Sequence, residues 1–177
     1  MVSAGVTRSE LSRMVAANQL VRVARGLYAL PNYQSGEHGA LVTVAKRAPG
    51  VLFCLLTALR IHDLTTQAPF EVWIAIGNKV HPPRLDYPPL RTLRFSDAAR
   101  VAGVETRKID GVSIRVTSVS KTFADCFKFR NKIGLDVALE ALRGARRAKK
   151  ATADDLWRYA AINRVTKIMQ PYLEAVA

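Results

Sequence analysis

Arginine and serine side chains recur at close spacing in the first 25 residues of the chain. They are Arg8, Ser9, Ser12, Arg13, Arg22 and Arg25. A guanidinium group can donate two parallel hydrogen bonds to a guanine edge, and a serine hydroxyl can bond to a phosphate or to a base edge. These residue types at this spacing could therefore contact a nucleic acid, if the local structure presents them on one surface.

The first four of these side chains fall in a segment that predicts a helix over residues 7–17. Thr7 is placed to cap the helix, and Glu10 completes a capping box. Asn18 follows the last turn and tolerates the left-handed conformation that ends many helices. One apolar stripe consists of Leu11, Met14 and Val15. The arginines and serines are then expected to point away from that stripe.

Residues 20–30, LVRVARGLYAL, have β character, and Gly26 supplies a turn. A helix followed by a hairpin that carries Arg22 and Arg25 is the arrangement of a winged helix-turn-helix, in which the helix enters the major groove and the wing contacts the backbone. The alternative is a small structural helix and hairpin with solvated arginines. The sequence of this segment leaves both open.

The charge of the whole chain favours a polyanionic partner. Among 177 residues, 27 Lys and Arg stand against 14 Asp and Glu, which gives a net charge of +13. Such an excess favours nucleic acid first, then an anionic membrane surface or an acidic protein. A basic protein without such a partner is the remaining alternative.

A second basic cluster is RGARRAKK at residues 143–150. Its cations are Arg143, Arg146, Arg147, Lys149 and Lys150. A solvated helix C-terminus is the default interpretation, because cations are favourable there. A second phosphate-contacting strip or a docking strip for an acidic partner is the alternative. Four further cations could extend this surface: Lys121, Lys128, Arg130 and Lys132.

The remaining pattern predicts an α+β fold, with a reduced winged helix at residues 1–34 and a mixed α/β domain at 37–177. Helices are expected at 40–48 and 54–64, and strands at 70–76 and 90–95. Asp110-Gly111 predicts a hairpin turn. The sheet should be mostly antiparallel, with a helical tail from Ser118 that Pro171 interrupts.

The motifs of the common enzyme classes are missing from the sequence. It has no Walker loop, dinucleotide fingerprint, HExxH or GxSxG motif. His62 and Asp63 diverge on a helix, so capping or surface roles are expected. Cys54 and Cys126 should be buried free thiols, and no metal or cofactor is expected. Without a long apolar run or a signal peptide, the expectation is a cytoplasmic protein that does not engage a membrane.

Several segments resemble one protein family. GVTRSELSRMVAANQLVRVARGLYALP resembles the N-terminal winged-helix segment of AbiEi-type antitoxins. TALRIHDLT, FEVWIAI, DGVSIRVTSVSKTFADCFKFRNKIGLDVALEAL and PYLEAV are similar, in the same order, to the C-terminal domain of that family. A complete winged helix has one or two helices before the recognition helix, whereas six residues precede it here, so the resemblance implies a reduced version.

The resemblance implies a non-enzymatic antitoxin of a type IV toxin–antitoxin, or abortive-infection, system. Such a protein represses its own operon by binding inverted repeats and counteracts a nucleotidyltransferase toxin without a stable complex. The nucleotidyltransferase signature is absent here, which places the chain on the antitoxin side. Other possibilities are an interaction module that neutralises a toxin without operator binding, a basic RNA-binding protein and, last, a nuclease.

Overall fold

The structure is a computed structural model that describes residues 6–24, 26–31, 38–67, 69–147 and 150–175. Its N-terminal part consists of α1 (Arg8–Ala16), β1 (Val21–Ala24) and β2 (Leu27–Ala29). The two strands pair antiparallel. The helix and hairpin predicted from the sequence are therefore confirmed.

Side chains fix the first turn of α1. The Glu10 amide donates to Thr7 Oγ1 at 3.3 Å, and the Thr7 amide donates to Glu10 Oε2 at 2.7 Å. This reciprocal pair is the predicted capping box, and it satisfies two backbone donors that a helix start leaves open. The hydrogen bond from the Thr7 backbone also lowers the pKa of the Glu10 carboxyl.

Backbone hydrogen bonds fix the other end of α1. Asn18 has a φ of 57°, its amide donates to the Val15 carbonyl at 3.1 Å, and the Gln19 amide donates to the Met14 carbonyl at 2.9 Å. These two bonds form a Schellman motif, in which a left-handed residue satisfies the last helical carbonyls. The predicted left-handed end at Asn18 is confirmed.

The rest of the chain forms one larger mixed unit. Its elements are α2 (Gly39–Arg47), β3 (Leu52–Phe53), α3 (Leu55–Ile61), β4 (Val72–Gly77), β5 (Leu90–Phe95), α4 (Asp97–Val101), β6 (Val104–Ile109), β7 (Val112–Thr117), α5 (Val119–Lys128), α6 (Arg130–Ile133), α7 (Leu135–Arg147), α8 (Ala153–Asn163) and α9 (Thr166–Ala175). The α+β class and the helical C-terminal part agree with the prediction.

Five of these strands form one sheet in the order β5-β4-β3-β7-β6. The β3–β4 and β6–β7 pairs are antiparallel, whereas β3–β7 and β4–β5 are parallel. The prediction of a mostly antiparallel sheet is corrected to a mixed sheet. One parallel pair arises from β3, a strand not predicted from the sequence, which lies between β4 and β7 and runs parallel to β7. The other joins β4 and β5, two strands that were predicted without their relative direction.

The β6–β7 hairpin turns at the predicted dipeptide. Asp110 has a φ of 48° and Gly111 a φ of 77°. Two successive positive φ values are typical of a type I′ turn, whose twist matches that of the flanking strands. In β7, Ile114 and Val116 are buried. The hairpin thus forms one end of the sheet with one face toward the core.

Helices cover both faces of the sheet. On one face, Leu41 and Val44 of α2 pack with Phe53, Ile74 and Ile114. On the other face, residues of α3, α5, α7, α8 and α9 pack with alternate residues of the same strands, including Leu52 and Ala75. Alternation along β3 and β4 sends neighbouring side chains to opposite layers. All residues of β4 are buried, as expected for a strand covered on both sides.

Pro171 does not interrupt the last helix, contrary to the sequence prediction. α9 runs from Thr166 to Ala175 with Pro171 inside it. A proline in a helix costs about 3 kcal/mol because it removes a backbone donor and crowds the preceding turn. Met169 and Leu173, on either side of the proline, are both buried in the core. Their packing offsets the local cost and keeps the helix continuous.

Candidate nucleic-acid interface

The polar side chains of α1 share one exposed surface. Arg8, Ser9, Ser12 and Arg13 are all exposed. With about 100° between successive residues, these four positions span an arc of about 140°. The half-buried side chains of Leu11, Met14 and Val15 occupy the opposite side. The structure therefore places the predicted contact residues of the helix together on its outer face.

The two arginines of this face are available to a partner. Within the described part of the chain, neither guanidinium makes a hydrogen bond or an ion pair. Ser9 differs, because its hydroxyl lies 3.0 Å from the hydroxyl of Thr7. Ser9 therefore takes part in the cap at the helix start, whereas Arg8 and Arg13 project from opposite ends of the face.

The hairpin begins directly at the end of α1. The Leu20 amide donates to the Met14 carbonyl at 3.2 Å, so the chain that leads into β1 is bonded to the last turn of the helix. Arg22 lies in β1 opposite Tyr28 and is exposed. Arg25, the other predicted wing residue, lies outside the described residues.

A further arginine lies at the tip of this hairpin. Gly26, in the turn, has a φ of 74°, and a Cβ atom added there would lie 3.1 Å from Nη1 of Arg47. Arg47 is exposed at the end of α2. Arg47 was not predicted as a contact residue, although the Lys46-Arg47 pair at a helix end is visible in the sequence. Arg47 lies beside Gly26 only in the folded chain, because the two residues are far apart in the sequence.

The second basic cluster is only partly free for a partner. Arg143 is exposed on α7, and the backbone of Arg146 and Arg147 forms the last turn of that helix, whereas Lys149 lies outside the described residues. Nζ of Lys150 donates to the carbonyl of His62 at 2.7 Å. Lys150 therefore binds the C-terminal end of α3, where helix carbonyls favour a cation.

Lys121 does not belong to any basic surface, which corrects the sequence analysis. Its side chain is fully buried and donates to Oδ1 of Asp125, also fully buried. Nδ2 of Asn163 donates to the same oxygen at 2.8 Å, and the ammonium lies 4.8 Å from the ring centroid of Phe95. Burial raises the pKa of Asp125, although the Lys121 ammonium opposes this shift. The cluster is part of the core.

The other three cations of the suggested extension differ in exposure. Arg130 is half-buried and donates to the Phe127 carbonyl at 3.0 Å. Burial lowers the pKa of the Lys128 ammonium, which lies 5.9 Å from the ring centroid of Phe129. Lys132 is exposed on α6. Of the three, Lys132 is the one fully presented to solvent.

His62 is the C-terminal cap residue of α3, as the capping prediction expected, but its side chain lies in the core rather than on the surface. Its side chain is 1% exposed, and Nε2 donates to the Thr117 carbonyl at 2.7 Å. Nδ1 is buried without a hydrogen-bond partner among the described residues. Burial lowers the pKa of the imidazole, which favours the neutral form. The ring joins the end of α3 to the end of β7.

Neither a metal cluster nor a membrane span is found in the described residues. They contain no group of three or more His, Cys, Asp or Glu side chains that could hold a metal ion. No described helix has the length and apolar character needed to cross a membrane. The cysteines Cys54 and Cys126 are buried free thiols, as predicted, and burial raises their pKa well above the ordinary value.

Comparison with known proteins matches the same segment that presents the exposed face. Residues 2–31 match a family model described as "Transcriptional regulator, AbiEi antitoxin". No curated protein matches the chain. The resemblance inferred from the sequence is confirmed over residues 2–31, which contain α1 and the hairpin, and it supports a role as an antitoxin or transcriptional regulator.

Proposed function

We propose that this chain is a DNA-binding antitoxin that represses its own operon and counteracts a nucleotidyltransferase toxin of a type IV toxin–antitoxin system. One observation carries the proposal: the family match to a transcriptional regulator coincides with α1, whose outer face is exposed and carries two arginines with no partner among the described residues. An apolar or acidic face in that segment would have argued against DNA.

In this proposal α1 is the recognition helix. Nine residues form a helix about 14 Å long, which follows the major groove for about four base pairs. Arg8 and Arg13 are placed to donate to guanine edges or phosphates, and Ser12 adds a hydroxyl between them. Because the hydroxyl of Ser9 lies close to that of Thr7, the Ser9 contact depends on an intact helix cap.

The hairpin acts as the wing in this proposal. Arg22, Arg25 and Arg47 would contact the phosphate backbone beside the groove, since wings bind there in winged-helix proteins. Arg47 belongs to α2, so the larger unit would contribute one contact to the DNA-binding surface. Phosphate contacts fix the position of the helix, whereas base contacts from α1 select the sequence.

We also propose two domains, a winged-helix part at residues 1–34 and an antitoxin domain at 37–177. Both apolar clusters of the described residues begin at or after Ala40, which supports this division. The second domain would act against the toxin, functionally rather than through a stable complex. Its exposed Arg143, with neighbouring cations of residues 146–150, is proposed as a secondary basic surface for DNA.

The test is fluorescence anisotropy on duplex DNA from immediately upstream of the gene, compared with a scrambled duplex across a salt series. We expect Arg13→Ala to weaken binding to the upstream duplex by about 1–3 kcal/mol if Arg13 contacts a base. Arg84→Ala removes an exposed arginine from the segment between β4 and β5 and serves as the matched control. We expect this control to bind as the unmodified protein does.

Three other results would change the conclusion. Equal losses on both duplexes would make Arg13 a phosphate contact. If the unmodified protein binds both duplexes with equal affinity, and both affinities fall together as the salt concentration rises, counterion release explains the binding. The proposal that the chain recognises an operator would then be wrong. A variant with Arg8, Arg13 and Arg22 changed to glutamate that still suppresses the toxin would show that neutralisation does not need the DNA-binding face.

A further inference from the structure

A cleft of about 240 Å³ lies at one end of the central sheet. One wall comes from the turn after α2, with Pro49 and Gly50, and the other from the end of β4 and the loop that follows it, with Gly77 and Val80. The buried strand residue Leu52 contributes to the lining. None of the residues that line this cleft is a carboxylate.

Arg100 of α4 supplies an unsatisfied donor to this cleft. Its Nε is buried and has no hydrogen-bond partner among the described residues. Arg100 forms an ion pair with Asp97, whose Oδ1 lies 3.7 Å from Nη2 and whose side chain is 92% exposed. A solvated partner at that distance contributes little. A buried N–H without a partner costs free energy, so an acceptor from a ligand would be favourable here.

The space beside Arg100 exists because residue 77 is a glycine. A Cβ atom at Gly77 would lie 3.7 Å from Nε of Arg100 and 3.3 Å from Cγ2 of Val80. Any side chain at this position would fill the room between the guanidinium and the loop. The missing side chain at Gly77 therefore leaves space beside the Arg100 side chain, which is 38% exposed.

A second guanidinium reaches the same cleft from the sheet. Arg115 lies in β7 opposite Leu52, and its Nη1 donates to the Gly50 carbonyl at 3.0 Å. This bond holds the side chain at the cleft and leaves its other N–H groups for a ligand. His81 lines the opposite wall. Two arginines and a histidine thus line one space without an acidic residue.

We propose that this cleft binds the phosphate group of a small molecule. Guanidinium groups match the oxygen geometry of phosphate and give charge-assisted hydrogen bonds. The volume lies below the range of about 300–1,000 Å³ that is usual for drug-sized ligands, so the occupant is small. The Arg100 side chain lines the cleft and is 38% exposed, so a small phosphate can meet the exposed part of its guanidinium there. The proposal is independent of DNA binding by α1.

The experiment titrates the ¹⁵N-labelled full chain with sodium pyrophosphate and follows the arginine Nε–Hε resonances at constant ionic strength. We expect saturable shifts of Arg100 and Arg115, with no matching change when chloride replaces pyrophosphate. Arg100→Gln should weaken the binding at least about tenfold, the loss expected for one charge-assisted contact. Arg84 is an exposed arginine in the loop between β4 and β5. Arg84→Gln removes its charge and should leave the affinity for pyrophosphate unchanged.

A second variant, Arg115→Lys, keeps the charge but not the planar fork, and should weaken binding severalfold with an unchanged backbone spectrum. Non-saturable shifts, or equal losses in Arg84→Gln and Arg100→Gln, would overturn the proposal by showing diffuse attraction to a basic surface. Displacement of pyrophosphate by duplex DNA would overturn it too, because the cleft would then be part of a nucleic-acid contact.

Discussion

Replacing Lys121 by methionine tests whether the buried polar cluster of Lys121, Asp125 and Asn163 is as inaccessible to solvent as the structure shows. The ammonium of Lys121 bonds to Asp125, and both side chains are 0% exposed. Methionine retains most of the length and apolar contacts of lysine but removes the charge. Asp125 would then keep a single donor, the Asn163 amide, and its Oδ2 already has no hydrogen-bond partner among the described residues.

The expected loss follows from this geometry. Removing one partner of a buried ion pair costs about 3–5 kcal/mol, because the remaining charge is buried without compensation. Native domains are stable by about 5–15 kcal/mol, so Lys121→Met should remove a large share of the stability. Lys132→Met removes an exposed lysine and should change stability by no more than about 0.5 kcal/mol.

The assay is equilibrium unfolding in urea at neutral pH, with the free energy of unfolding extrapolated to water. A double variant, Lys121→Met with Asp125→Leu, removes both charges and should be more stable than the single variant. A loss below about 1 kcal/mol for Lys121→Met would refute the reasoning, because the pair would then be solvated rather than buried. If the double variant is less stable than the single variant, the loss of the hydrogen bond from Asn163 Nδ2 to Asp125 costs more than leaving the Asp125 charge without Lys121.

Two further predictions concern His62 and the cap of α1. Because burial lowers the pKa of His62 below that of the unfolded chain, its contribution to stability is present above about pH 6.5 and is lost as the pH falls through the folded pKa. His62→Gln should abolish this dependence in pH-dependent urea unfolding, and an unchanged pH profile would contradict it. Thr7→Ala should destabilise α1 by about 1 kcal/mol, measured as faster amide exchange in α1, and equal exchange rates would contradict it.

Local signals in the sequence predicted the elements that local chemistry determines. The capping box of Thr7 and Glu10, the left-handed Asn18 and the Asp110-Gly111 turn each act within a few residues, so spacing alone revealed them. The outer face of α1 was predicted for the same reason. Contacts with DNA remain a prediction for all six residues of helix and wing.

The sequence did not reveal features that depend on tertiary packing. β3 has two residues inside a continuous apolar run, where neither the helical nor the strand period can be recognised. Lys121 and Asp125 have the spacing of an ordinary exposed helix pair, and their burial follows from the layers packed over α5. The position of Arg47 beside Gly26 joins segments that the sequence keeps apart.

The short strand β3 has a consequence for how the chain folds. Among the described residues, Leu52 and Phe53 alone join the β4–β5 ladder to the β6–β7 ladder, and their partners in β7 lie far along the chain. The β6–β7 hairpin forms from neighbouring residues, whereas the β3–β7 pairing must close a long loop and is entropically costly. Completion of the sheet is therefore a late event, and until then β4 and β7 expose open edges that can pair with other chains. During synthesis, the chain is most prone to aggregate before β7 reaches these two residues.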